Sequence, residues 1–166
     1  ARSLCERPEL IVADEPVSAL DVSINAQVIN LLDDLKEEFN LSYVFISHDL
    51  SIVEHICDRI AVMYLGTVVE VASTENFSKS PRHPYTRALL LAVPIPDPHR
   101  RAEPFPIEGD VPSPIDPPAG CAFHPRCPYA FDRCSQKKPP LAEAADAHFV
   151  ACWLNEGTGL TTMNDK

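Results

Sequence analysis

The stretch LIVADEPVSALD, residues 10–21, joins a short apolar run directly to two adjacent carboxylates. The run LIVA is typical of a parallel strand buried on both faces. Ligands of open parallel sheets bind beyond the carboxyl ends of the strands. Neighbouring carboxylates repel each other, so the pair Asp14 and Glu15 costs free energy unless a cation or a proton relieves it. The pair therefore indicates a metal or nucleotide site, although a strand ending in solvated acids explains it equally well.

A second strand is predicted after the first. YVFIS, at residues 43–47, is again a continuous apolar run. Residues 22–39 between the two runs have apolar side chains at helical spacing, with Asp21 as the expected N-cap. The apolar positions of this helix are Val28, Leu31, Leu32, Leu35 and Phe39. Strand, helix and strand in this order form a right-handed crossover unit, which predicts an α/β fold.

His48 directly follows the second predicted strand. Because the carboxyl ends of parallel strands meet at one edge of a sheet, we expect it near Asp14 and Glu15. An imidazole there could contact a γ-phosphate, and Mg²⁺ bound to nucleotide phosphates would relieve the carboxylate repulsion. A lone histidine after a strand is more often an ordinary surface or core residue, so its position alone does not establish a role.

Charge and composition limit the possible functions. The formal net charge is −10, and residues 1–72 carry 13 acidic and 4 basic side chains. No basic face is evident, which counts against nucleic acid as a partner. No apolar run approaches the roughly 18–20 residues that span a bilayer. The opening ARSLCERPEL lacks an initiator Met, so we expect a fragment. It also lacks the features of a signal peptide, and six cysteines without such a signal indicate a reducing compartment.

The composition changes along the chain. Of the 17 prolines, 15 lie between Pro81 and Pro140. We predict one domain at residues 1–72 and a second at 73–166. The other predicted elements are a short helix near 50–57, a hairpin of 59–66 and 67–72 turning at Gly66, a helix within 83–93 starting after Pro84, and an extended proline-rich connector over 94–120.

Four cysteines lie in the C-terminal part, at positions 121, 127, 134 and 152, separated by five, six and seventeen residues. Four thiolates in a segment with little regular structure could hold a tetrahedral metal or an iron–sulfur cluster, and free thiols are the alternative. The spacing matches neither zinc ribbons nor ferredoxins, so it leaves the metal open. His124 and His148 are possible substitute ligands, or solvated histidines. Cys5 and Cys57 are expected to be small core residues.

LIVADEPVSALD followed by FISHDL resembles the second half of an ABC transporter ATPase subunit. The first stretch is similar to a Walker B strand with its catalytic glutamate and D-loop, and the second to the H-switch. The opening ARSLCERP resembles the end of the helix that follows the signature motif. The resemblance covers residues 1 to about 70 and implies the C-terminal part of a P-loop NTPase (RecA-like) ABC ATPase domain.

The resemblance also implies roles for individual residues. Asp14 would bind the Mg²⁺ of Mg–ATP, and Glu15 would be the catalytic base or would position the attacking water. The stretch Ser18, Ala19, Leu20 and Asp21 would form the D-loop, which faces the partner ATPase. His48 would be the switch histidine.

Several motifs of that family are absent from these 166 residues. There is no G-x-x-x-x-G-K-[ST] loop, no LSGGQ-like signature and no Q-loop. Nothing in this sequence therefore cradles the β- and γ-phosphates. We expect a full-length parent to hydrolyse ATP and these residues alone not to.

The C-terminal part has its own resemblance. HPYTRALLLAVP, then GDVPSPIDPPAGCAFHPRCPYAFDRC and a later ACW, are similar to the C-terminal extension of dipeptide and oligopeptide importer ATPases. This covers about residues 80–154 and implies a [4Fe–4S] site at Cys121, Cys127, Cys134 and Cys152. Such a cluster would staple a segment too poor in large apolar residues to order itself. Redox sensing is the alternative role, and zinc is the alternative metal.

These resemblances together imply an ATP-binding subunit of an importer for short peptides, peripheral on the cytoplasmic face of the inner membrane. Its partners would be a second ATPase subunit, identical or homologous, membrane-embedded permease subunits and, indirectly, a peptide-binding protein. The alternative function is a metal-binding interaction module at residues 73–166, with the ATPase-like part a passive platform.

Overall fold

The computed structural model describes Leu4 and residues 8–18, 21–93, 105 and 107–156. The chain divides into two compact units, Ala1–Asp58 and Arg59–Lys166. This division lies 14 residues before the predicted boundary at residue 72. It differs because the hairpin of residues 59–73 is hydrogen-bonded to a strand near the C-terminus and so belongs to the second unit.

The first unit contains the predicted strand–helix–strand arrangement. Its elements are β1 (Leu10–Asp14), α1 (Val22–Phe39), β2 (Ser42–Ile46) and α2 (Leu50–Ile56). Strands β1 and β2 pair in parallel, in register from Leu10 opposite Ser42 to Asp14 opposite Ile46. Helix α1 has the predicted bounds and stops at Asn40, whose φ of 51° is left-handed, as is common after the end of a helix.

The core of the first unit is small. Its buried residues are Val17, Ile29 and Ile56. Partly buried neighbours pack against them: Val28, Leu32, Phe45, Ile52 and Cys57. The predicted apolar face of α1 is thus only partly correct, because Leu31 and Phe39 are 54% and 48% exposed. The helix contacts its neighbours along the stripe of Ile29 rather than that of Leu31.

The two-stranded sheet is covered on one face. Leu10, Val12, Val44 and Ile46 alternate with half-buried residues and are 47–62% exposed. The prediction that these strands are buried on both faces is therefore wrong for this structure. The reason is that Phe45, on the other face, packs into the core with the helices, while the described residues of this unit leave Val12 and Val44 open to solvent.

The second unit is built on a four-stranded antiparallel sheet. The elements in chain order are β3 (Arg59–Tyr64), β4 (Thr67–Ser73), α3 (Thr74–Lys79), α4 (Pro84–Ala92), α5 (Asp132–Gln136), β5 (Ala142–Ala145) and β6 (His148–Val150). The strand order is β3-β4-β6-β5. Short 3₁₀ helices occupy His124–Arg126 and Trp153–Asn155.

The predicted hairpin is present and turns at Leu65 and Gly66, whose φ values are 44° and 73°. The helix predicted within 83–93 is α4, which has Pro84 as its first residue. Elements α3, α5, β5 and β6 are not predicted from the sequence. Of the predicted connector, residues 94–104 and 106 lie outside the described residues, and 107–120 form no regular element.

Aromatic packing closes the core of the second unit. Ile60, Val62 and Tyr64 of β3 are buried while their neighbours are exposed, the period-two pattern of a strand with one covered face. The ring of Tyr64 lies 4.7 Å from that of Tyr85 and 5.3 Å from that of Phe123, both edge to face. These contacts hold the start of α4 and the loop before the first 3₁₀ helix close to the strand.

A buried carboxylate links three segments of this unit. Glu70 of β4 is fully buried, and its Oε1 lies 2.6 Å from Nε2 of His148 in β6. The amides of Arg82 and His83 donate to the same carboxylate at 2.8 and 2.9 Å. Satisfying these oxygens offsets the cost of burying them and fixes the chain just before α4.

Among the described residues, the helices are too short or too polar to cross a membrane.

Candidate functional site

The carboxyl end of β1 continues into a tight turn. Asp14, the exposed last residue of β1, pairs in register with Ile46 of β2. The amide of Glu15 extends the ladder by donating to the carbonyl of Ile46 at 2.9 Å. Glu15 has a φ of 44°, a left-handed conformation that residues other than glycine adopt rarely. The amide and Oγ of Ser18 donate to its carbonyl at 3.3 and 3.1 Å, which holds this turn.

His48 meets Glu15 at this edge. Its Nδ1 lies 3.0 Å from Oε1 of Glu15, and the side chains are 74% and 45% exposed. Asp49, the next residue, has its amide bonded to Ser47 Oγ and its Oδ1 on the amide of Ser51, which caps α2. The predicted proximity of His48 and Glu15 is confirmed, whereas the roles of Asp14, Glu15 and His48 remain predictions.

The predicted D-loop is described only in part. Ser18 holds the turn at Glu15, and Asp21 occupies the N-cap position of α1. The Asp21 side chain makes no capping hydrogen bond and is exposed to solvent. Ala19 and Leu20 lie outside the described residues.

The second candidate site is a cavity in the C-terminal unit. Cys121, Cys127, Cys134 and Cys152, all free thiols, line it together with aromatic and apolar residues. These neighbours include Pro84, Phe123, Tyr129, Trp153 and Leu154. Cys121 and Cys152, which are 31 positions apart in the sequence, thus line the same cavity. A site that uses all four cysteines requires such proximity.

Backbone packing fixes two of these cysteines. The amide of Cys121 donates to the carbonyl of Cys134 at 2.8 Å. Gly120 precedes this contact with a φ of 74°, and a Cβ on it would lie 2.3 Å from that same carbonyl oxygen. Only glycine therefore allows the two cysteine segments to approach this closely.

The thiols are held in an environment that favours protonation. Burial is the largest cause in each case: it raises the pKa of Cys121, that of Cys127 to about 11 and that of Cys152 to about 12. Hydrogen bonds from the amides of Phe123, Tyr129 and Leu154 to these three sulfurs oppose the rise. Burial therefore favours the protonated form of these three thiols.

Among the described residues, no three His, Cys, Asp or Glu side chains form a group that could hold a metal ion. Thiolates that share one tetrahedral zinc must approach to about 3.8 Å of each other, since each Zn–S bond is about 2.3 Å long. Within the described part of the chain, the structure therefore gives no support to the zinc site that the sequence leaves open.

The other cysteines and histidines have separate surroundings. Cys57 packs against the core of the first unit, as predicted, and Cys5 lies outside the described residues. His148 is not among the residues that line the thiol cavity, and its Nε2 lies 2.6 Å from the buried carboxylate of Glu70. His124 lines the thiol cavity, with its Nδ1 2.9 Å from the carbonyl of Cys121.

His83 also lines the thiol cavity and is missed by the sequence analysis. It is 1% exposed, and its Nδ1 accepts a hydrogen bond from the amide of Tyr85 at 3.0 Å, which caps α4. Burial lowers its pKa from 6.5 to about 4, although Glu70 acts in the opposite direction. The available signal was its position directly before a proline that starts a helix, where N-caps occur.

Comparison with known proteins supports the predicted relationship. Residues 69–134 match the family model for the C-terminal region of oligopeptide/dipeptide transporters. The chain is 57% identical over 152 residues to a putative peptide import ATP-binding protein of Brucella abortus, covering 92% of this chain and 48% of that protein.

Two further relatives carry similar names. The oligopeptide transport ATP-binding protein AppF of Bacillus subtilis is 55% identical over 156 residues, covering 93% of this chain and 47% of that protein. The dipeptide transport ATP-binding protein DppF of Haemophilus influenzae is 54% identical over 153 residues, covering 92% and 47%. The chain spans about half the length of these relatives.

None of these names mentions a metal or an interaction module, so they lend no support to the alternative function. The resemblance read from the sequence is confirmed: residues 69–134 match the model for the C-terminal region of oligopeptide/dipeptide transporters, and more than nine-tenths of the chain is similar to proteins named as ATP-binding proteins of peptide import.

Proposed function

We propose that this chain is the C-terminal part of an ATP-hydrolysing subunit that powers ABC-type import of dipeptides or oligopeptides. The observation that carries the proposal is the contact between Glu15 and His48, 3.0 Å apart at the carboxyl ends of two paired parallel strands. The names of the relatives point to the same activity.

The side chains at the carboxyl ends of β1 and β2, called the rim below, suit Mg–ATP chemistry. Asp14, exposed at the end of β1, would bind the Mg²⁺ or its water shell, and Glu15 would polarise the attacking water. Nδ1 of His48 faces the Glu15 carboxylate, which leaves Nε2 for a γ-phosphate oxygen. A ring that contacts both groups would link the presence of the phosphate to the position of Glu15.

The exposure of this rim fits a site completed by other parts. Residues 1–166 hold no glycine loop with a lysine, so the β- and γ-phosphates require a cradle that these residues do not contain. We propose a second ATPase subunit, facing Ser18 and Asp21 of the D-loop, as the partner that closes over the nucleotide. Closure would drive permease subunits at the cytoplasmic face of the inner membrane, which receive the peptide from a binding protein.

We further propose a [4Fe–4S] cluster at Cys121, Cys127, Cys134 and Cys152. Its four thiolates bind four different irons, so their sulfurs need not converge on one point as on zinc. The soft donor set of four thiols that line one cavity supports this assignment. The cluster would supply a covalent cross-link between distant segments. Binding it would require the buried thiols to lose their protons, which costs free energy.

The test of the ATPase proposal is a chimera in which this chain replaces the corresponding C-terminal part of AppF. We expect Mg²⁺-dependent hydrolysis in the chimera, and a fall of roughly 10²–10³-fold in kcat for Glu15→Gln, as removal of a catalytic base gives. Glu37→Gln, at an exposed carboxylate of α1, is the matched control and leaves kcat unchanged. Unreduced hydrolysis by Glu15→Gln would contradict the assignment of Glu15.

A further inference from the structure

A groove lies on the surface of the second unit, between the start of β4 and the segment that joins α5 to β5. Thr67 and Val68 line one side of it, residues 137–141 line the other, and Ala151 and Trp153 also contribute. Its volume of about 610 Å³ is within the roughly 300–1,000 Å³ that ligand pockets have. We call it the Lys137 groove.

The groove includes a strand end that has a partner on one side only. The pairing of β4 with β6 covers Glu70 and Val71, so Thr67 and Val68, at the start of β4, lie beyond it. On their other side, Thr67 and Val68 both pair with β3. Backbone groups on the open side of a strand can pair with an extended segment of another chain. The shape of the groove therefore suits an extended peptide.

One wall of the groove is held in place by Trp153. The indole Nε1 donates to the carbonyl of Lys137 at 2.9 Å, and the guanidinium of Arg133 lies 3.7 Å from the centre of the indole ring. Arg133 is also paired with Glu156, so its charge is compensated. Because Trp153 is only 6% exposed, these contacts anchor the backbone that carries the exposed Lys137 and Lys138.

Lys137 and Lys138 are the two lysines in the described part of the chain that form no ion pair with a carboxylate. The other two, Lys36 and Lys79, each have an acidic partner. Nζ of Lys138 donates instead to the neutral hydroxyl of Thr67 at 3.2 Å. The whole chain has 24 acidic and 14 basic residues, so two adjacent lysines without a carboxylate are unusual in it. Their uncompensated charge complements an acidic ligand.

Apolar side chains and the number of cations narrow the choice of ligand. Leu141 is 45% exposed beside the lysines, and Val68 opposite is partly buried. Anionic lipid surfaces attract clusters of about 4–8 basic residues, whereas two uncompensated cations lie here. The net charge of −10 disfavours nucleic acid. A peptide with both carboxylates and apolar side chains fits the groove better than either.

We infer that the Lys137 groove binds an extended acidic segment of a partner protein. Carboxylates of that segment would pair with Lys137 and Lys138, and an apolar side chain would contact Leu141 and Val68. Backbone pairing with the start of β4 would add affinity without selecting a sequence, so the two lysines would provide the preference for acidic residues. Neither nucleotide nor metal is needed for this binding.

The test uses the full chain and a fluorescein-labelled peptide of alternating Glu and Ala residues around one Leu. The same peptide with Lys in place of Glu is the probe of opposite charge, and fluorescence anisotropy measures the binding of both. We expect the Glu peptide to bind, and more weakly as the salt concentration rises, because salt screens exposed charges. Unlabelled Glu peptide should change the emission of Trp153, the single tryptophan, because Trp153 lines the groove.

Two double variants separate the groove from the overall charge. Lys137→Gln with Lys138→Gln should weaken binding of the Glu peptide roughly 5–10-fold, as expected for the loss of two exposed ion pairs. Lys36→Gln with Lys79→Gln removes the same charge at lysines outside the groove and is the matched control. We expect it to leave the affinity within about twofold of wild type.

Equal losses of affinity in the two double variants, or equal binding of the Glu and Lys peptides, would overturn the inference. Unchanged Trp153 emission would overturn it too, because the peptide would then bind elsewhere. Vesicles of equal parts phosphatidylcholine and phosphatidylserine are the last comparison. If the chain binds these vesicles and not the Glu peptide, the ligand is a membrane surface and the inference is wrong.

Discussion

The two units place their polar groups differently. In the first, Glu15 and His48 meet on an exposed rim, with the histidine side chain 74% open to solvent. In the second, Glu70, His83, Thr86 and His148 are almost completely buried. The polar pair of the first unit is therefore open to solvent, whereas in the second unit the buried Glu70 bonds to His148 and to the amides of Arg82 and His83.

Apolar surfaces follow the same division. Val12 and Val44 on the sheet of the first unit are 62% and 47% exposed, although strands of this composition are typical of buried sheets. In the second unit, Val62 of β3 is 6% exposed and Phe77 is fully buried. Strand composition alone therefore does not tell which strands are covered, because the cover comes from other elements.

The largest expected effect is the loss of the buried carboxylate. Glu70→Ala leaves the amides of Arg82 and His83 and the ring of His148 without their acceptor, so we expect the second unit to lose about 3–5 kcal/mol of unfolding free energy. Fluorescence of Trp153, the single tryptophan, reports urea unfolding of this unit. The exposed Glu75, replaced by Ala, is the control, and equal losses in both variants would refute the linking role.

A pH dependence of stability follows from His83. Its pKa falls from 6.5 in the unfolded chain to about 4 in the folded one, so the unfolded state binds the proton first as pH drops. The contribution of His83 to the free energy of unfolding is fully present above pH 6.5. It falls by about 3 kcal/mol as the pH drops from 6.5 to about 4, and is constant below that. Urea unfolding at several pH values gives the free energy of unfolding as a function of pH for wild type and His83→Asn. Between pH 6.5 and about 4 we expect this free energy to fall more steeply in wild type, and equal pH dependences would contradict the lowered pKa.

A pair of glycine substitutions tests the cysteine cavity. Gly120 and Gly109 both have positive φ, 74° and 77°, but only a Cβ at Gly120 meets other atoms, at 2.3 Å from the Cys134 carbonyl oxygen. We expect Gly109→Ala to cost about 1 kcal/mol from backbone strain and Gly120→Ala at least about 1 kcal/mol more. Equal costs in urea unfolding would show that the close approach of the two segments is not required.

The smallest effect is expected on the open sheet face. Val12→Thr should change local stability by less than about 0.5 kcal/mol, because the hydroxyl reaches solvent. The same change at Val62 buries a hydroxyl and should cost about 1–3 kcal/mol. Hydrogen exchange of the strand amides measures each unit separately, and a large loss of protection in β1 for Val12→Thr would show that this face is covered in solution.

Local features of the first unit were predictable from sequence. Helix α1 has 18 residues with a repeating apolar pattern, so its bounds are correct, and the two apolar runs locate β1 and β2 to within one residue. The parallel pairing then places His48 beside Glu15. The left-handed φ of Glu15 was not predictable, because it depends on the turn held by Ser18.

The second unit was harder to predict because its contacts join distant residues. Strand β6 has three residues, too few for a periodic signal, and it pairs with a strand far earlier in the chain, with Val150 opposite Glu70, 80 positions before it. The contact of Glu70 with His148 depends on that pairing. The four cysteines were recognised by type, but their shared cavity and the inward-facing His83 depend on the packing of Phe123 and α4.

The pairing of β6 with β4 has a consequence for shortened forms of the chain. Glu70 and Val71 pair with β6, and the amide of Ala151 donates to Val69 at 2.8 Å. Removing the residues from 142 onward would leave β4 with a free edge, whose open amides and carbonyls can recruit a strand from another molecule. With β6 and β5 in place, the edge on this side of the sheet is instead the four-residue β5, which offers a shorter template than the seven-residue β4.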